Sequence, residues 1–277
     1  KLENLGEEKF QARVSGASSD VGAIYAYRKP DQTITRESLC KHFDWNPTKP
    51  IVGVFSSCWS DYPHLFGMDN FLNFHELIQA TIRVASNKPD CNWLFKAHPC
   101  ESWYDGVRMA DLFQFDEYPH VRQSNLWWSG VDVLNAVDSV VTCHGTVGVE
   151  AAVLGKPVLM AERGWYDEAD IAHRANSRSD YGQLLGEYWP SVDDLAAKQQ
   201  NARLLAGVFW GRPDWQAGFL MSDDSRQWEI YQDGNQLIRG NMGVIDLEID
   251  WIRNWYQSGH PYYHVYKMLG ASEYAVA

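Results

Sequence analysis

The chain has 277 residues, 45% of them hydrophobic and 22% charged, which is the composition of an ordinary globular protein. This length predicts one or two domains, and the absence of an apolar run of about eighteen residues argues against a transmembrane helix. A formal net charge of −12 at pH 7 disfavours nonspecific binding to nucleic acid or to anionic lipid.

The five cysteines and the first residues bear on the cellular setting. An odd number of cysteines without Cys-x-x-Cys spacing favours reduced thiols in a cytoplasmic protein over a disulfide framework or a zinc site. The chain begins Lys1-Leu2-Glu3-Asn4, without an initiator Met or a signal-peptide pattern, which indicates a processed or excised piece of a longer protein. We expect a cytoplasmic location, with peripheral association at the inner face of the cytoplasmic membrane as an alternative.

The first part of the chain has weak periodicity until a helix predicted over Arg36–Phe43, with Thr35 as candidate N-cap. The apolar run Ile51–Phe55 then predicts a buried strand, which ends in the polar loop Ser56–Asp61. An amphipathic helix is predicted over Phe71–Ser86.

A second buried strand is predicted over Trp93–Pro99, and it ends in Lys-x-His-Pro. Residues 100–120 are less regular, and Val131–Ala136 is predicted as a short helix.

The segment from Ser139 to Met160 predicts a parallel βαβ unit. A β-branched strand ends in His144-Gly145-Thr146, a small-residue helix with Glu150 one turn inside follows, and Gly155-Lys156-Pro157 stops that helix before a second apolar run. Glycines at such a turn let backbone N–H groups approach an anion, Thr146 can cap the helix or bind phosphate, and Glu150 can accept hydrogen bonds from sugar hydroxyls. A capped, tightly packed helix without a ligand is the alternative.

The remaining elements are a charged aromatic loop and two helices. The loop follows Met160 and contains Arg163, and the helices are predicted over Ser191–Val208, with Ser191 as N-cap, and over Val244–Trp255.

Strands that alternate with helices through short connections predict an α/β fold: a Rossmann-like open parallel sheet with helices on both faces. In such sheets ligands bind beyond the carboxyl ends of the strands, where four polar loops are expected to converge. These loops are Ser56–Asp61, Lys96–Pro99, Cys143–Glu150 and Arg163–Asp167.

Two motifs resemble those of one enzyme group. Phe95-Lys96-Ala97-His98-Pro99 resembles the Lys-x-His-Pro element of bacterial GT-B glycosyltransferases, among them capsular polysaccharide biosynthesis proteins, β-Kdo transferases and sialyltransferases. Residues 141–151, followed by Gly155-Lys156-Pro157-Val158, look like the second nucleotide-sugar motif of that group, with a matching order and separation. The pair implies the C-terminal donor domain of a GT-B enzyme and covers about residues 50–175. With this resemblance we divide the chain into residues 1–46, a lead-in or remnant of a preceding acceptor domain, residues 47–190, a nucleotide-sugar-binding domain, and residues 191–277, a C-terminal helical extension.

The resemblance implies a role for each matching residue. His98 and Pro99 would contact the nucleotide phosphate or base, and Lys96 would neutralise phosphate charge as the leaving group departs. The turn formed by Gly145, Thr146 and Gly148 would hold phosphate, and Glu150 would hold ribose. His144 stands where the group commonly has Ser, so it could bind phosphate or donate a proton. We expect no metal and no tightly bound cofactor.

Other polar residues at the same predicted edge are weaker candidates. Ser57 and Asp61 lie at a strand end, and Arg163, Tyr166 and Asp167 could line a sugar pocket or form an ordinary surface loop. Two further histidine positions favour structural interpretations: His173 with Arg174 as helix surface, and His260-Pro261 as a turn. A Gly-x-Ser-x-Gly elbow and a P-loop are both missing from the sequence, which disfavours hydrolase triad and P-loop chemistry.

The leading functional hypothesis is a glycosyltransferase of capsule or lipopolysaccharide synthesis. A CMP-linked donor such as CMP-Kdo is favoured, UDP- and CDP-sugars are alternatives, and the acceptor would be a glycan or glycolipid. The residues before Ile51 are too few for a complete acceptor domain, so either the acceptor half lies outside this chain or the acceptor site is built differently. The general base could then be absent from this sequence. Two rival hypotheses are a nucleotide-sugar epimerase or hydrolase and a non-catalytic GT-B-like binding module.

Overall fold

The computed structural model describes residues 1–16, 23, 26–27, 33–59, 67–104, 107–187, 194–211, 242–260, 263, 266–267 and 270. Its α-helices are α1 (Leu2–Val14), α2 (Arg36–Phe43), α3 (Phe74–Ser86), α4 (Met109–Leu112), α5 (Gly130–Ala136), α6 (Val147–Val153), α7 (Arg178–Glu187), α8 (Leu195–Phe209) and α9 (Met242–Ser258). Its strands are β1 (Ile51–Phe55), β2 (Asn92–Lys96), β3 (Val121–Gln123), β4 (Ser139–Thr142), β5 (Val158–Met160) and β6 (His173–Arg174). Two 3₁₀ helices cover Pro99–Trp103 and Asp167–Ala169.

The six strands form one parallel sheet in the order β3-β2-β1-β4-β5-β6. The order reverses between β1 and β4, so β1 and β4 flank the switch point at which ligands bind in open α/β sheets. The predicted α/β fold with an open parallel sheet is therefore confirmed.

Helices cover both faces of this sheet. On one face, Val54, Phe95 and Val141 share a core with Leu77 of α3 and Leu185 of α7.

On the other face, the Cβ position of Gly53 would meet the Val137 side chain, which follows α5, at 3.1 Å. Successive side chains of a strand point to opposite faces of the sheet, and helices cover both faces. This explains why β1, β2 and β4 are buried along their whole length.

Local sequence signals fix the ends of several helices. The Thr35 side chain accepts a hydrogen bond from the Ser38 N–H at 3.2 Å, which confirms the predicted N-cap of α2. Asn73 caps α3, so that helix begins three residues later than the sequence predicts. Gly155, with φ +73°, follows α6 in the left-handed region that favours glycine.

Some predictions of secondary structure are wrong or incomplete. The sequence predicts helix surface at His173 and Arg174, yet both lie in β6, where they pair with Leu159 and Met160. The irregular stretch 100–120 contains a 3₁₀ helix and α4, and β3 was not predicted. Ser191, the predicted cap of the next helix, lies outside the described residues, and α8 covers Leu195–Phe209.

The chain consists of two compact units, Lys1–Gly207 and Val208–Ala277. The predicted boundaries at 46/47 and 190/191 both fall inside the first unit, and the roles predicted for the three segments stay predictions. In the second unit, α9 carries aromatic residues that pack locally, with the Trp255 and Tyr263 rings 5.6 Å apart. His260 follows α9 in a turn, where its N–H donates to the Ser258 hydroxyl at 3.1 Å.

The N-terminal helix α1 packs closely on α8 within the first unit. A Cβ at Gly6 would lie 1.9 Å from the Arg203 carbonyl oxygen, and one at Gly207 would lie 2.3 Å from the Leu2 carbonyl oxygen. Only glycine allows this approach of the two backbones. Glu7 and Arg203 form an ion pair at 3.1 Å beside the contact.

All five cysteines are in the reduced form, and Cys100 is half-buried while the other four are buried. Among the described residues, no helix is long and apolar enough to cross a membrane.

Candidate functional site

The loops predicted to form the site leave the sheet at one edge. Phe55 of β1 is in register with Lys96 of β2 on one side and with Thr142 of β4 on the other. Ser57, His98 and His144 each follow those positions by two residues, so all three emerge beyond the carboxyl ends of adjacent strands.

Among the residues that the structure describes, two recesses open at this edge. One lies over β2 and is lined by Lys96, Pro99, Leu126, Trp127, Trp128 and Ser129, together with Ala26. The other lies between the ends of β1 and β4 and the helix α3, and its lining includes Ser56, Ser57 and Thr142.

Lys96 is buried, with 5% of its surface exposed, at the first recess. Its Nζ donates hydrogen bonds to the carbonyl oxygens of Leu126 at 3.3 Å and Trp128 at 2.9 Å. Burial lowers the pKa of Lys96 to about 8, because the low-dielectric surroundings disfavour the charged amine. An ammonium has three donors, so one remains for a ligand in addition to the two carbonyls.

This lowered pKa predicts a pH-dependent stability difference between the wild type and Lys96→Met. Because the folded pKa lies below the unfolded value of 10.5, the unfolded chain binds more protons between these pH values and wild-type stability rises through this window. The wild type should gain about 2 kcal/mol over Lys96→Met between pH 8 and pH 10, and nothing between pH 6 and pH 7. Urea unfolding of both proteins across this pH range measures the difference in their free energies of unfolding. The contributions of the other titrating groups are common to both proteins and cancel in this difference. A difference independent of pH would contradict the assignment.

His98 and Pro99 form the start of a 3₁₀ helix directly after β2. The Nδ1 of His98 accepts a hydrogen bond from the Cys100 N–H at 3.2 Å, so this side chain caps the 3₁₀ helix. The ring is half-buried. Its contact with a nucleotide stays a prediction, and the cap explains why the imidazole is held at this edge.

The turn after β4 is held by two hydrogen bonds and one close contact. The Gly145 N–H donates to the Thr142 hydroxyl at 3.2 Å, and the Tyr166 hydroxyl donates to the Gly145 carbonyl oxygen at 2.8 Å. A Cβ at Gly148 would lie 2.2 Å from that hydroxyl, so Gly148 makes room for the ring. Thr146 is the N-cap residue of α6, but its side chain makes no capping hydrogen bond.

Tyr166 was predicted to line a sugar pocket, and the structure shows it buried beneath the turn, with 2% of its surface exposed. Burial raises the pKa of its phenol well above the usual value, so the hydroxyl stays protonated as a donor to Gly145. Tyr166 therefore shapes the turn, and contact of its side chain with a sugar stays a prediction.

His144 is largely buried beside the same turn. Its Nδ1 lies 3.6 Å from the Cys143 sulfur, and its ring packs edge-on against Phe74 with centroids 6.1 Å apart. Burial lowers the pKa of His144, while a hydrogen bond with the Arg163 backbone partly opposes this effect. The imidazole is therefore neutral at pH 7, and binding of phosphate or proton donation by His144 stays a prediction.

Glu150 forms a buried ion pair with Arg13 of α1. The Arg13 Nη2 and Nε donate to the Glu150 Oε1 at 3.1 and 3.4 Å, and the two side chains are 8% and 5% exposed. No sequence pattern predicts this pairing, which joins residues 137 positions apart.

The weaker candidates are spread around the edge. Ser57 is half-buried at the second recess, Arg163 is exposed, and Asp167 forms an ion pair with Arg174 at 3.1 Å. Asp61 lies outside the described residues.

Glu162 is a structurally important residue that the sequence analysis did not single out. It is fully buried after β5, and its carboxylate accepts hydrogen bonds from the N–H groups of Asp69, Asn70 and Phe71 at 2.8–3.1 Å. Burial raises the pKa of Glu162, and these donors lower it in part. The Asn70 amide also donates to the carbonyl oxygens of Ala161 and Ala175. A carboxylate directly after a buried strand was the available sequence signal.

Within the described residues, no group of three or more His, Cys, Asp or Glu side chains is placed to hold a metal ion. The expectation of a reaction without metal stays a prediction.

Neither a protein-family model nor a curated protein matches the sequence. Several solved structures are similar to the chain. KpsC of Thermosulfurimonas dismutans, a β-Kdo 2,4 transferase, is 14% identical with a TM-score of 0.46, over 73% of this chain and 55% of that one. MnaA of S. aureus, solved with UDP, is 13% identical with a TM-score of 0.41, over 65% of this chain and 45% of that one.

Alr3699/HepE of Anabaena, in complex with UDP, is 16% identical with a TM-score of 0.39, over 62% of this chain and 47% of that one. The chain thus spans about half the length of these structures. KpsC is a transferase of the kind that the two motifs resemble.

Proposed function

We propose that this chain is the donor-binding half of a glycosyltransferase that uses a nucleotide sugar. The observation that carries the proposal is the placement of the two motifs on either side of β1. The Lys96-x-His98-Pro99 element follows β2, and the turn from His144 to Gly148 follows β4, at the switch point of a parallel sheet.

The chemistry of this edge suits a phosphate-linked donor. Glycosyl transfer breaks the bond between the anomeric carbon and a phosphate oxygen, and negative charge develops on the departing phosphate. The ammonium of Lys96 is a positive group that would stabilise this charge. A CMP-linked donor of the Kdo type is favoured by the motif resemblance, with UDP- and CDP-sugars as alternatives.

The remaining parts of the reaction belong to the same proposal. The acceptor would be a glycan or glycolipid of capsule or lipopolysaccharide synthesis, bound with the general base by a half that this chain does not contain. Product analysis with a nucleotide sugar and an acceptor separates transfer from the rival hypotheses: epimerised sugar indicates an epimerase, and free sugar indicates a hydrolase. Nucleotide binding without any product indicates a binding module.

Calorimetric titration with CMP, CDP and UDP tests nucleotide binding, with His98→Asn as the main variant. Asparagine retains a side-chain acceptor for the Cys100 N–H, so the 3₁₀ cap survives while the imidazole is lost. A hydrogen bond to a charged phosphate contributes about 1.5–3 kcal/mol to binding, so its loss in His98→Asn should lower the nucleotide affinity by about tenfold or more.

His260→Ala is the matched control, since it alters the chain's other His-Pro dipeptide. We expect wild-type affinity in this control. If the wild type binds none of the three nucleotides, the proposal is wrong; if His98→Asn binds as well as the wild type, the role of His98 is wrong.

A further inference from the structure

The buried pair of Arg13 and Glu150 links the N-terminal helix to the proposed nucleotide site. The Nε and Nη2 groups of Arg13 both donate to Oε1 of Glu150. Glu150 lies in the first turn of α6, directly beyond the turn that follows β4. The orientation of its carboxylate is therefore set by a residue from a distant part of the chain.

The helix α1 holds Arg13 in a fixed position. The glycine contact between Gly6 and Gly207 brings α1 against α8 with no room for a side chain. A hydrogen bond from Gln200 to Glu3 at 2.8 Å extends the same contact. Arg13 is thus presented from an anchored helix.

A buried carboxylate depends on such a partner. Removal from water makes an isolated carboxylate costly, and a guanidinium restores the stability of the charged form through paired, directed hydrogen bonds. A carboxylate can accept about four hydrogen bonds, so the two from Arg13 at Oε1 are compatible with further donors to the same group.

We propose that Arg13 is a positioning residue for nucleotide recognition: it holds the Glu150 carboxylate charged and oriented to accept hydrogen bonds from the ribose hydroxyls. This inference rests on the proposed function. It adds α1 to the residues required for the site, although α1 lies outside the segment that carries the two motifs.

The test compares two affinities in each protein by calorimetry. The probes are whichever of CMP, CDP and UDP the wild type binds, and the 2′,3′-dideoxy form of that nucleotide. The variants are Arg13→Met, Arg13→Lys and Glu150→Gln, and Arg203→Met is the control because it breaks an ion pair of the same helix without touching Glu150. Thermal unfolding without ligand establishes that each variant is folded.

We expect the wild type and Arg203→Met to prefer the ribonucleotide by about tenfold, which is the effect of about 1.4 kcal/mol from the hydroxyl contacts. In Arg13→Met and Glu150→Gln this ratio should fall towards one, with the affinity for the dideoxy form unchanged. Arg13→Lys keeps the charge without the directed pair of donors, so its ratio should lie between these values. If Arg13→Met does not fold, the ratio in Arg13→Lys decides.

Each other outcome overturns the inference. An unchanged ratio in a folded Arg13 variant, or an equal loss of affinity for both probes, would show that Arg13 has only a structural role. Tighter ribonucleotide binding by Arg13→Met would show that Arg13 competes with the ribose. A wild type without preference between the probes overturns the inference alone, whereas a wild type that binds no nucleotide overturns the proposed function as well.

Discussion

Replacing Glu162 by alanine is expected to destabilise the first unit by about 2–4 kcal/mol, because the N–H groups of Asp69, Asn70 and Phe71 lose their acceptor. Leaving a buried donor unsatisfied costs about 1–3 kcal/mol each, and water reaches part of this loop in the variant. Glu162→Gln keeps the shape and one carbonyl oxygen, so about half of that loss is expected. Urea denaturation measures both values.

Glu168→Ala is the matched control, since Glu168 is exposed in the 3₁₀ helix nearby. Its effect should stay within about 0.5 kcal/mol, as for ordinary surface substitutions. A loss below about 1 kcal/mol for Glu162→Ala would show that the loop containing Asp69 does not depend on this carboxylate.

The second large effect is expected for Gly148→Ala, which places a methyl group 2.2 Å from the Tyr166 hydroxyl and 3.0 Å from its ring. Tyr166 is buried, so its ring must shift and its hydrogen bond to the Gly145 carbonyl oxygen must lengthen or break. Overpacking of this kind costs about 1–3 kcal/mol. Nucleotide affinity should fall as well, because the Gly145 turn is part of the proposed phosphate site.

Gly182→Ala is the control for this substitution, because the Cβ position of Gly182 in α7 meets no atom within 4 Å. Alanine should stabilise that helix by about 0.5–1 kcal/mol. A double-mutant cycle with Tyr166→Phe isolates the clash: removal of the hydroxyl should cost less in the Gly148→Ala protein than in the wild type. Additive effects would show that the two residues do not collide.

The sequence predicted the centre of the sheet because its strands are continuous apolar runs. Every position is buried in two of these strands, Ile51–Phe55 and Val158–Met160. Continuous apolar runs of this kind are typical of strands that are covered on both faces. The edge strands gave no such signal. β3 and β6 contain Arg122, Gln123, His173 and Arg174, and they are strands because their backbones pair with Trp93–Phe95 and Leu159–Met160.

The candidate site could be predicted as a set of loops, but its internal contacts could not. Parallel strands bring their carboxyl ends to one edge, and this rule places His98 and His144 beside β1. The Arg13–Glu150 pair and the Glu162 contacts with residues 69–71 join segments about 90 to 140 positions apart. Sequence periodicity reports local faces only, and it carries no information about such pairs.

A crystal structure with whichever of CMP, CDP and UDP binds best is the decisive experiment for the proposed donor site. We expect the phosphate beside the Gly145–Thr146 turn and the nucleotide near His98 at the carboxyl edge of β2. A nucleotide bound at the opposite edge of the sheet or in the second unit would contradict this proposal.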